Sequence, residues 1–237
     1  MSMHTALPLA PTTTNARLLA CGIVAGPLFL AVWLIQALTR EGFDPTYHPL
    51  SLLSLGDLGW IQIANFVVTG ALYVACAVGM WRVLRPGRGG TWGPRLVGAL
   101  AVGLIVSGVF LTDAGAGFPP GAPAGAPGHI TWHGILHEVG FAVALLSWTV
   151  ACFVFATRFA ALKQRGWVTT CVTAAVAVLV VDSWPDLHSL SLRLVTGLAI
   201  MLGFVAVLAA RLMRGLPHAA TTSVPARALA TFPISSE

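Results

Sequence analysis

Six long stretches of mostly apolar residues, separated by short polar segments, constrain this chain more than any other feature. They are Leu18–Leu38, Trp60–Leu84, Leu96–Thr112, Thr131–Ala156, Trp167–Trp184 and Ser189–Leu212. A helix needs about 20 such residues to cross the hydrocarbon core of a bilayer, and its backbone must be hydrogen-bonded within the helix. We therefore predict an all-α bundle of six transmembrane helices, of which the third and the fifth are short.

The composition excludes a soluble globular domain. Hydrophobic residues make up 57% of the chain and charged residues only 9%, whereas a soluble domain carries about 25% charged residues. The net charge of +5 comes from short basic runs between apolar segments and not from one basic face, so we expect no nucleic-acid partner. The lipid bilayer is the expected partner, and the pattern predicts no particular oligomeric state.

The basic residues predict how the bundle is oriented. All but two of the 13 Lys and Arg residues fall where six crossings place them on one side of the membrane, and the exceptions are Arg40 and Arg193. Basic residues accumulate on the cytoplasmic side of membrane proteins, so we expect both termini in the cytoplasm. We predict a membrane domain over residues 17–212 between two disordered cytoplasmic tails, 1–16 and 213–237. The expected location is the cell membrane, as a multi-pass protein of a bacterial plasma membrane.

Several short motifs in and beside the connecting segments occur together in a recognisable order. They are Gly42-Phe43-Asp44, His48-Pro49-Leu50-Ser51-Leu52-Leu53-Ser54, Gly59-Trp60-Ile61-Gln62, Asn65-Phe66, Trp92-Gly93-Pro94, Gly117-Phe118-Pro119-Pro120-Gly121 and His133-Gly134-Ile135-Leu136-His137. In this combination the chain resembles the bacterial membrane family catalogued as domain of unknown function 998, over roughly residues 17–212. The resemblance implies a multi-helix membrane bundle, and it carries over no activity and no catalytic residue.

Polar side chains gather at one end of all six predicted helices, the end opposite the basic side. The set comprises Gln36, Gln62, Asn65, Asp113, His133, His137, Glu138, Asp182, His188 and Arg193. Ionisable groups near hydrocarbon are costly, so they usually pair with each other or line a cavity. We therefore predict an outward-facing polar cluster, in which Gln36, Gln62, Asn65 and Arg193 are candidate substrate-binding residues.

Histidines in this set suit a metal site. His133 and His137 are four residues apart, so both lie on one face of the fourth helix. With His188 or an aspartate as a third ligand they would hold zinc, and an open fourth position would carry an activated water. This interpretation predicts hydrolysis of a lipid or other amphiphile.

The carboxyl groups support a second interpretation. Asp113, Glu138 and Asp182 are candidate catalytic residues if burial keeps one of them protonated, with a histidine as its proton partner. A membrane-embedded acid-catalysed prenyl cyclase or a proton-coupled transporter would use such a group. In a third interpretation the cluster only fixes the register of the helices in a non-catalytic membrane scaffold. We favour a lipid or amphiphilic small molecule as the ligand, because the chain has no sizeable soluble domain.

Two connecting segments have unusual compositions. Leu50, Leu52, Leu53 and Leu55 follow the first apolar stretch, which predicts that this loop dips into the membrane interface. The loop Gly115–Gly128 is rich in proline and glycine. This composition is typical of a flexible connection or of a lid over the polar cluster.

Overall fold

The computed structural model describes residues 13–185 and 189–216. It contains six α-helices, which are α1 (Thr13–Thr39), α2 (Gly59–Leu84), α3 (Trp92–Val109), α4 (Trp132–Ala161), α5 (Arg165–Asp182) and α6 (Leu190–Arg214). A short 3-10 helix, Leu50–Ser54, lies in the first loop. All six α-helices are long and apolar enough to span a membrane, and no strand is present in the described ranges. The predicted all-α architecture with six membrane-spanning helices is confirmed.

The helix bounds follow the apolar segments closely. Helices α3 and α5 are the shortest, with 18 residues each, as the lengths of their segments predict. Helices α1 and α6 extend into the ranges assigned to the tails, to Thr13 and Arg214. Gly215 and Leu216 follow α6, and the remaining tail residues, 1–12 and 217–237, lie outside the described residues.

The six helices form a closed ring in chain order. Each helix packs antiparallel against the next one in sequence, and α6 returns to pack against α1. Across the ring, the Tyr73 hydroxyl of α2 donates to the Leu202 carbonyl of α6 at 3.3 Å. Trp148 of α4 packs edge-on against Phe204 of α6, with ring centroids 5.7 Å apart. The middle of the ring is therefore filled by large side chains rather than open.

Small residues let the helix backbones approach closely. A side chain at Gly103 would lie 2.7 Å from the Ala144 backbone nitrogen, and one at Gly140 would lie 2.7 Å from Ser107 Oγ. Gly26 meets Leu202 in the same way between α1 and α6. Without a hydrophobic drive between helices in lipid, such close packing is a main source of association.

The two ends of the bundle differ in how they are covered. We call the end that carries the connections after α1 and α3 the site face, and the opposite end the basic face. Both α1 and α6 have their outer chain ends at the basic face, since Gly79 meets Leu18 there and Arg211 bonds Gln164. The N-terminal end of α1 and the C-terminal end of α6 therefore share one face of the bundle.

The loops after α1 and α3 interlock into a cap, which we define as residues 40–58 and 110–131. A small core holds it together, with Phe43 and Phe118 in edge-to-face contact at 5.4 Å and with Leu52 and Leu53 buried beside them. The leucines of the 3-10 helix are buried against the protein interior and the second loop of the cap. The sequence predicted that this loop dips into the membrane interface, and that contact stays a prediction.

A buried histidine joins the two loops of the cap. The Asp44 backbone nitrogen donates to His48 Nδ1 at 2.8 Å, and His48 Nε2 donates to the Ala116 carbonyl at 2.9 Å. Below it, the Ser191 hydroxyl of α6 donates to the His48 carbonyl at 2.6 Å. This arrangement uses both nitrogens of a neutral imidazole ring, so the cap is a defined structure that is tied to α6.

Candidate functional site

Asp113 caps the first turn of α4. Its carboxylate accepts from the Thr131 hydroxyl at 2.5 Å and from the Thr131 backbone nitrogen at 3.0 Å. Thr131 is the N-cap residue, and its hydroxyl oxygen accepts from the Gly134 nitrogen at 3.1 Å. A carboxylate is stabilised at the positive end of a helix. The pKa of Asp113 is lowered, mainly by the hydrogen bond from the Thr131 side chain, which outweighs the opposing effect of burial. This group is therefore ionised at neutral pH.

His133 and His137 hold the C-terminal end of α3. His133 Nδ1 lies 3.0 Å from the Leu111 carbonyl, and His137 Nδ1 lies 2.7 Å from the Ser107 carbonyl and 3.1 Å from that of Phe110. The Ser107 hydroxyl returns a hydrogen bond to the His137 carbonyl at 3.0 Å. The last carbonyls of a helix have no partner within the helix. The two histidines supply those partners from α4.

The hydrogen bonds also fix the tautomer of the His137 ring. A carbonyl acceptor at Nδ1 requires the proton on that nitrogen, so Nε2 of the neutral ring keeps its lone pair. His137 is 4% exposed and lines the cavity described below. Its side chain is therefore part of the cavity wall, with Nδ1–H bonded to carbonyls of the α3 end and without a hydrogen bond from Nε2 to another described residue.

Residues 13–185 and 189–216 contain no set of side chains that would support the metal hypothesis. No group of three or more His, Cys, Asp or Glu side chains in these ranges is arranged to hold a metal ion. His133 and His137 both direct Nδ1 to backbone carbonyls, and Asp113 is occupied by Thr131. His188, the predicted third ligand, lies outside the described residues.

Asp182 and Arg193 form a separate group where α5 ends against α6. Arg193 Nη1 donates to the Asp182 carbonyl at 3.2 Å, and its Nε donates to the Ser189 hydroxyl at 3.2 Å. A cation at the C-terminal end of a helix is favourable. The Asp182 carboxylate lies over Gly197, where any side chain would overlap it. Neither Asp182 nor Arg193 is among the residues that line the cavity.

The predicted substrate-binding amides lie between α1 and α2. Gln36 Nε2 donates to Gln62 Oε1 at 2.8 Å, and Asn65 Nδ2 donates to the same oxygen at 3.2 Å and to the Phe29 carbonyl at 3.1 Å. All three side chains are buried, and none of them lines the cavity. They form an interhelical hydrogen-bond network.

The described residues of the predicted cluster are thus distributed over three groups. Asp113, His133, His137 and Glu138 meet at the α3–α4 contact. The amides occupy the α1–α2 contact, while Asp182 and Arg193 occupy the α5–α6 contact.

A cavity of about 710 Å³ lies under the cap in the site-face half of the ring. Apolar side chains from four helices form most of its wall: Phe66 of α2, Leu104 of α3, Phe141 of α4, and Leu190, Leu194 and Leu198 of α6. Its volume falls within the roughly 300–1,000 Å³ typical of small-molecule pockets. The cavity is bordered by both α4 and α6, although α5 lies between these helices in the ring.

Polar groups line one side of the cavity. Ser107, Thr112, Asp113, His137 and Glu138 come from the end of α3 and the start of α4. Among the lining residues within the described ranges there is no Lys and no Arg. The cavity therefore joins an apolar wall to a polar edge with acidic character.

A second depression of about 510 Å³ adjoins the cavity on the outer surface of α4. Its wall includes Ile130, Ile135 and Val139, which are exposed on the unpacked face of the bundle. Thr112, Asp113, Pro127 and Glu138 border both spaces. The polar edge is thus the boundary between the cavity and the side of the bundle that would face lipid.

Sequence reasoning did not single out two residues that shape this region. His48 links the two loops of the cap, and Ser107 lines the cavity and bonds the His137 carbonyl. Only the loop motif that contains His48 pointed to its neighbourhood. Ser107 follows Ala99 and Gly103 at four-residue spacing, a stripe of small residues that indicates close helix packing, so no feature of the sequence predicted its contact with the cavity.

Comparison with known proteins gives a family and no characterised relative. Neither a curated protein nor a solved structure matches the chain significantly. The family model described as "Protein of unknown function (DUF998)" matches residues 23–211, which include almost all of the six-helix bundle. The chain belongs to this family, as its loop motifs indicate.

Proposed function

We propose that the cavity binds a small molecule with a hydrocarbon body, a lipid or another amphiphile, taken from the surrounding membrane. The observation that carries this proposal is an apolar cavity of about 710 Å³ with polar groups on one edge. Pockets that bind small molecules combine an apolar wall with a few polar groups that orient the ligand. Leu190, Leu194 and Leu198 would contact the hydrocarbon, and the α3–α4 edge would contact the polar end.

The adjoining depression supports access from the membrane. It shares Thr112, Asp113, Pro127 and Glu138 with the cavity, and the rest of its wall includes exposed apolar residues in and just before α4. A ligand dissolved in the bilayer would reach the cavity past these residues without crossing water. The cap covers the cavity from the site face.

The distribution of basic residues supports an orientation for this site. The basic face carries both described chain ends and most of the Lys and Arg residues. By the positive-inside rule it would face the cytoplasm of a cell membrane, and the cavity would then lie in the outer leaflet. The ligand would then be an outer-leaflet component or a molecule that arrives from outside.

The contacts of Asp113 support a binding function better than they support acid catalysis by this residue. The acid-catalysis hypothesis requires a protonated carboxyl group, whereas the hydrogen bonds from Thr131 favour the ionised form of Asp113. Both Nδ1 atoms of the histidine pair serve the end of α3. These contacts favour a binding protein over the hydrolase and cyclase alternatives.

A pair of tryptophan substitutions on α6 tests the binding proposal. Leu194 lines the cavity, while Leu192, two residues earlier, is 48% exposed on the outer surface. Binding of dodecanol to the purified protein in maltoside micelles would be measured by native mass spectrometry. We expect one bound dodecanol in the wild type and in Leu192→Trp, and at least about tenfold weaker binding in Leu194→Trp, a difference of ~1.4 kcal/mol.

Either of two results would overturn the proposal. One is the absence of stoichiometric dodecanol binding to the wild-type protein. The other is equal binding by the Leu194→Trp and Leu192→Trp variants, because the alcohol would then occupy the outer surface rather than the cavity.

A further inference from the structure

The charge at the polar edge of the cavity is one-sided. Asp113 and Glu138 contribute two carboxylates to the lining, and no lining residue in the described ranges is basic. The two arginines on the site face are engaged elsewhere. Arg40 donates to the Leu55 carbonyl and lies over the Phe118 ring, while Arg193 bonds the end of α5.

The two carboxylates differ in the number of hydrogen bonds that they accept from the protein. Asp113 accepts two hydrogen bonds from Thr131. Glu138 is exposed and makes no hydrogen bond or ion pair within the described part of the chain. A charge near the hydrocarbon region is costly unless it is paired or lines a polar cavity. Among the described residues, Glu138 therefore has no partner at the point where a ligand would pass into the cavity.

The neighbouring groups favour a ligand that donates hydrogen bonds or carries positive charge. His137 offers the Nε2 lone pair, because its Nδ1–H is committed to the Ser107 and Phe110 carbonyls. The Ser107 hydroxyl proton is committed to the His137 carbonyl. Phe66 and Phe141 add aromatic faces to the same cavity, and such faces attract cations.

We propose that the cavity selects amphiphiles with a cationic polar end, a primary or quaternary ammonium group, and that Glu138 provides the countercharge. This inference rests on the proposed function, because it specifies the ligand of the same cavity. The hydrocarbon chain lies along the leucines of α6, and the ammonium group lies at the α3–α4 edge. An anionic amphiphile is disfavoured there by like-charge repulsion, which is strong where water is scarce.

Three probes with the same chain test this selectivity. Dodecyltrimethylammonium, dodecanol and dodecyl sulfate would each be titrated below micellar concentration into the wild-type protein in maltoside micelles, with binding followed by native mass spectrometry. We expect the ammonium probe to bind at least about tenfold more tightly than dodecanol. Dodecyl sulfate should bind more weakly than dodecanol.

Substitutions of acidic residues locate the source of the preference. Glu138→Gln should weaken binding of the ammonium probe by a larger factor than it changes dodecanol binding, so that the advantage of the ammonium probe is lost. Glu138→Asp, which keeps the charge, should retain the advantage. Glu41→Gln is the matched control, because Glu41 is an exposed acid on the same face that does not line the cavity, and it should change none of the three affinities.

The outcomes separate the two proposals. Equal affinities of the wild-type protein for dodecyltrimethylammonium and dodecanol would overturn the cationic selectivity and leave the binding function in place. The same holds if Glu41→Gln and Glu138→Gln reduce the preference equally, since the effect would then come from the net charge of the surface. Failure of dodecanol to bind at all would overturn the binding function itself.

Discussion

At the scale of single residues, two glycines set the positions of two carboxylates. Asp113 lies against Gly134 in the first turn of α4, and Asp182 lies against Gly197 of α6. In each case a Cβ atom on the glycine would overlap a carboxylate oxygen. Glycine costs helix stability relative to alanine. Here the absence of a side chain on glycine permits a close contact between a carboxylate and a helix backbone.

The substitution Gly134→Ala tests this role. The added methyl group must displace the Asp113 carboxylate, which breaks its hydrogen bonds to Thr131 and should lower stability by about 1–3 kcal/mol. Gly203→Ala on α6 is the matched control, because no atom lies within 4 Å of a Cβ at that position. It should be neutral or slightly stabilising. Thermal unfolding in detergent measures both, and equal midpoints for the two variants would contradict the proposed contact.

At the scale of helices, α4 completes the end of α3. Helix α3 ends at Val109. Carbonyl groups in its last turn and just after it accept hydrogen bonds from His133 and His137 of α4. The i,i+4 spacing of the two histidines matches the spacing of the carbonyls they meet along the neighbouring helix. The same spacing suits a metal site, so the pattern in the sequence is compatible with both interpretations.

Two replacements of His137 separate the capping role from a role of Nε2. An asparagine amide nitrogen lies near the position of Nδ1, whereas a glutamine amide nitrogen lies near that of Nε2. We expect His137→Asn to keep most of the stability, because it still donates to the Ser107 carbonyl. His137→Gln should lose about 1–3 kcal/mol by leaving carbonyls without a donor. Unfolding midpoints in detergent measure the difference.

The opposite ranking would point to another function for the ring. If His137→Gln is the more stable variant, the Nδ1 contacts to the end of α3 contribute little, and the interpretation of His137 as a helix cap is wrong. Bound zinc, measured by elemental analysis of the purified wild-type protein and lost in both variants, would revive the metal hypothesis.

At the scale of the whole molecule, the ring places both described chain ends on one face. Arg82, Arg85, Arg158 and Arg211 lie toward that face, whereas the cap and the cavity lie toward the other. An even number of antiparallel helices requires this placement of the ends. Only the distribution of basic residues indicates which face meets the cytoplasm.

Single cysteines test the orientation in intact cells. Ala124→Cys lies in the exposed cap, and Gly166→Cys lies at the exposed start of α5 on the basic face. We expect a membrane-impermeant maleimide to label the first variant in intact cells and the second only after permeabilisation. The native cysteines serve as background, since three of the four are buried. Labelling of Gly166→Cys alone in intact cells would show the inverted orientation.

The sequence predicted the helices well because the ability to span a membrane depends on local properties, the length and polarity of each segment. Thus Trp92–Val109 and Arg165–Asp182 are short for reasons visible in the chain itself. The described members of the polar set lie near one end of their helices, and His188 lies outside the described residues. Whether they touch depends on the rotation of each helix about its axis, which no single segment encodes.

Hydrophobic length and the family motifs therefore defined the class of protein, a six-helix membrane bundle. The tertiary packing decided that Gln36 and Gln62 bond each other between α1 and α2, and that His137 turns Nδ1 toward α3. It also decided that Glu138 borders a cavity. These features arise where helices distant in the chain meet at particular angles, so only the packed structure contains them.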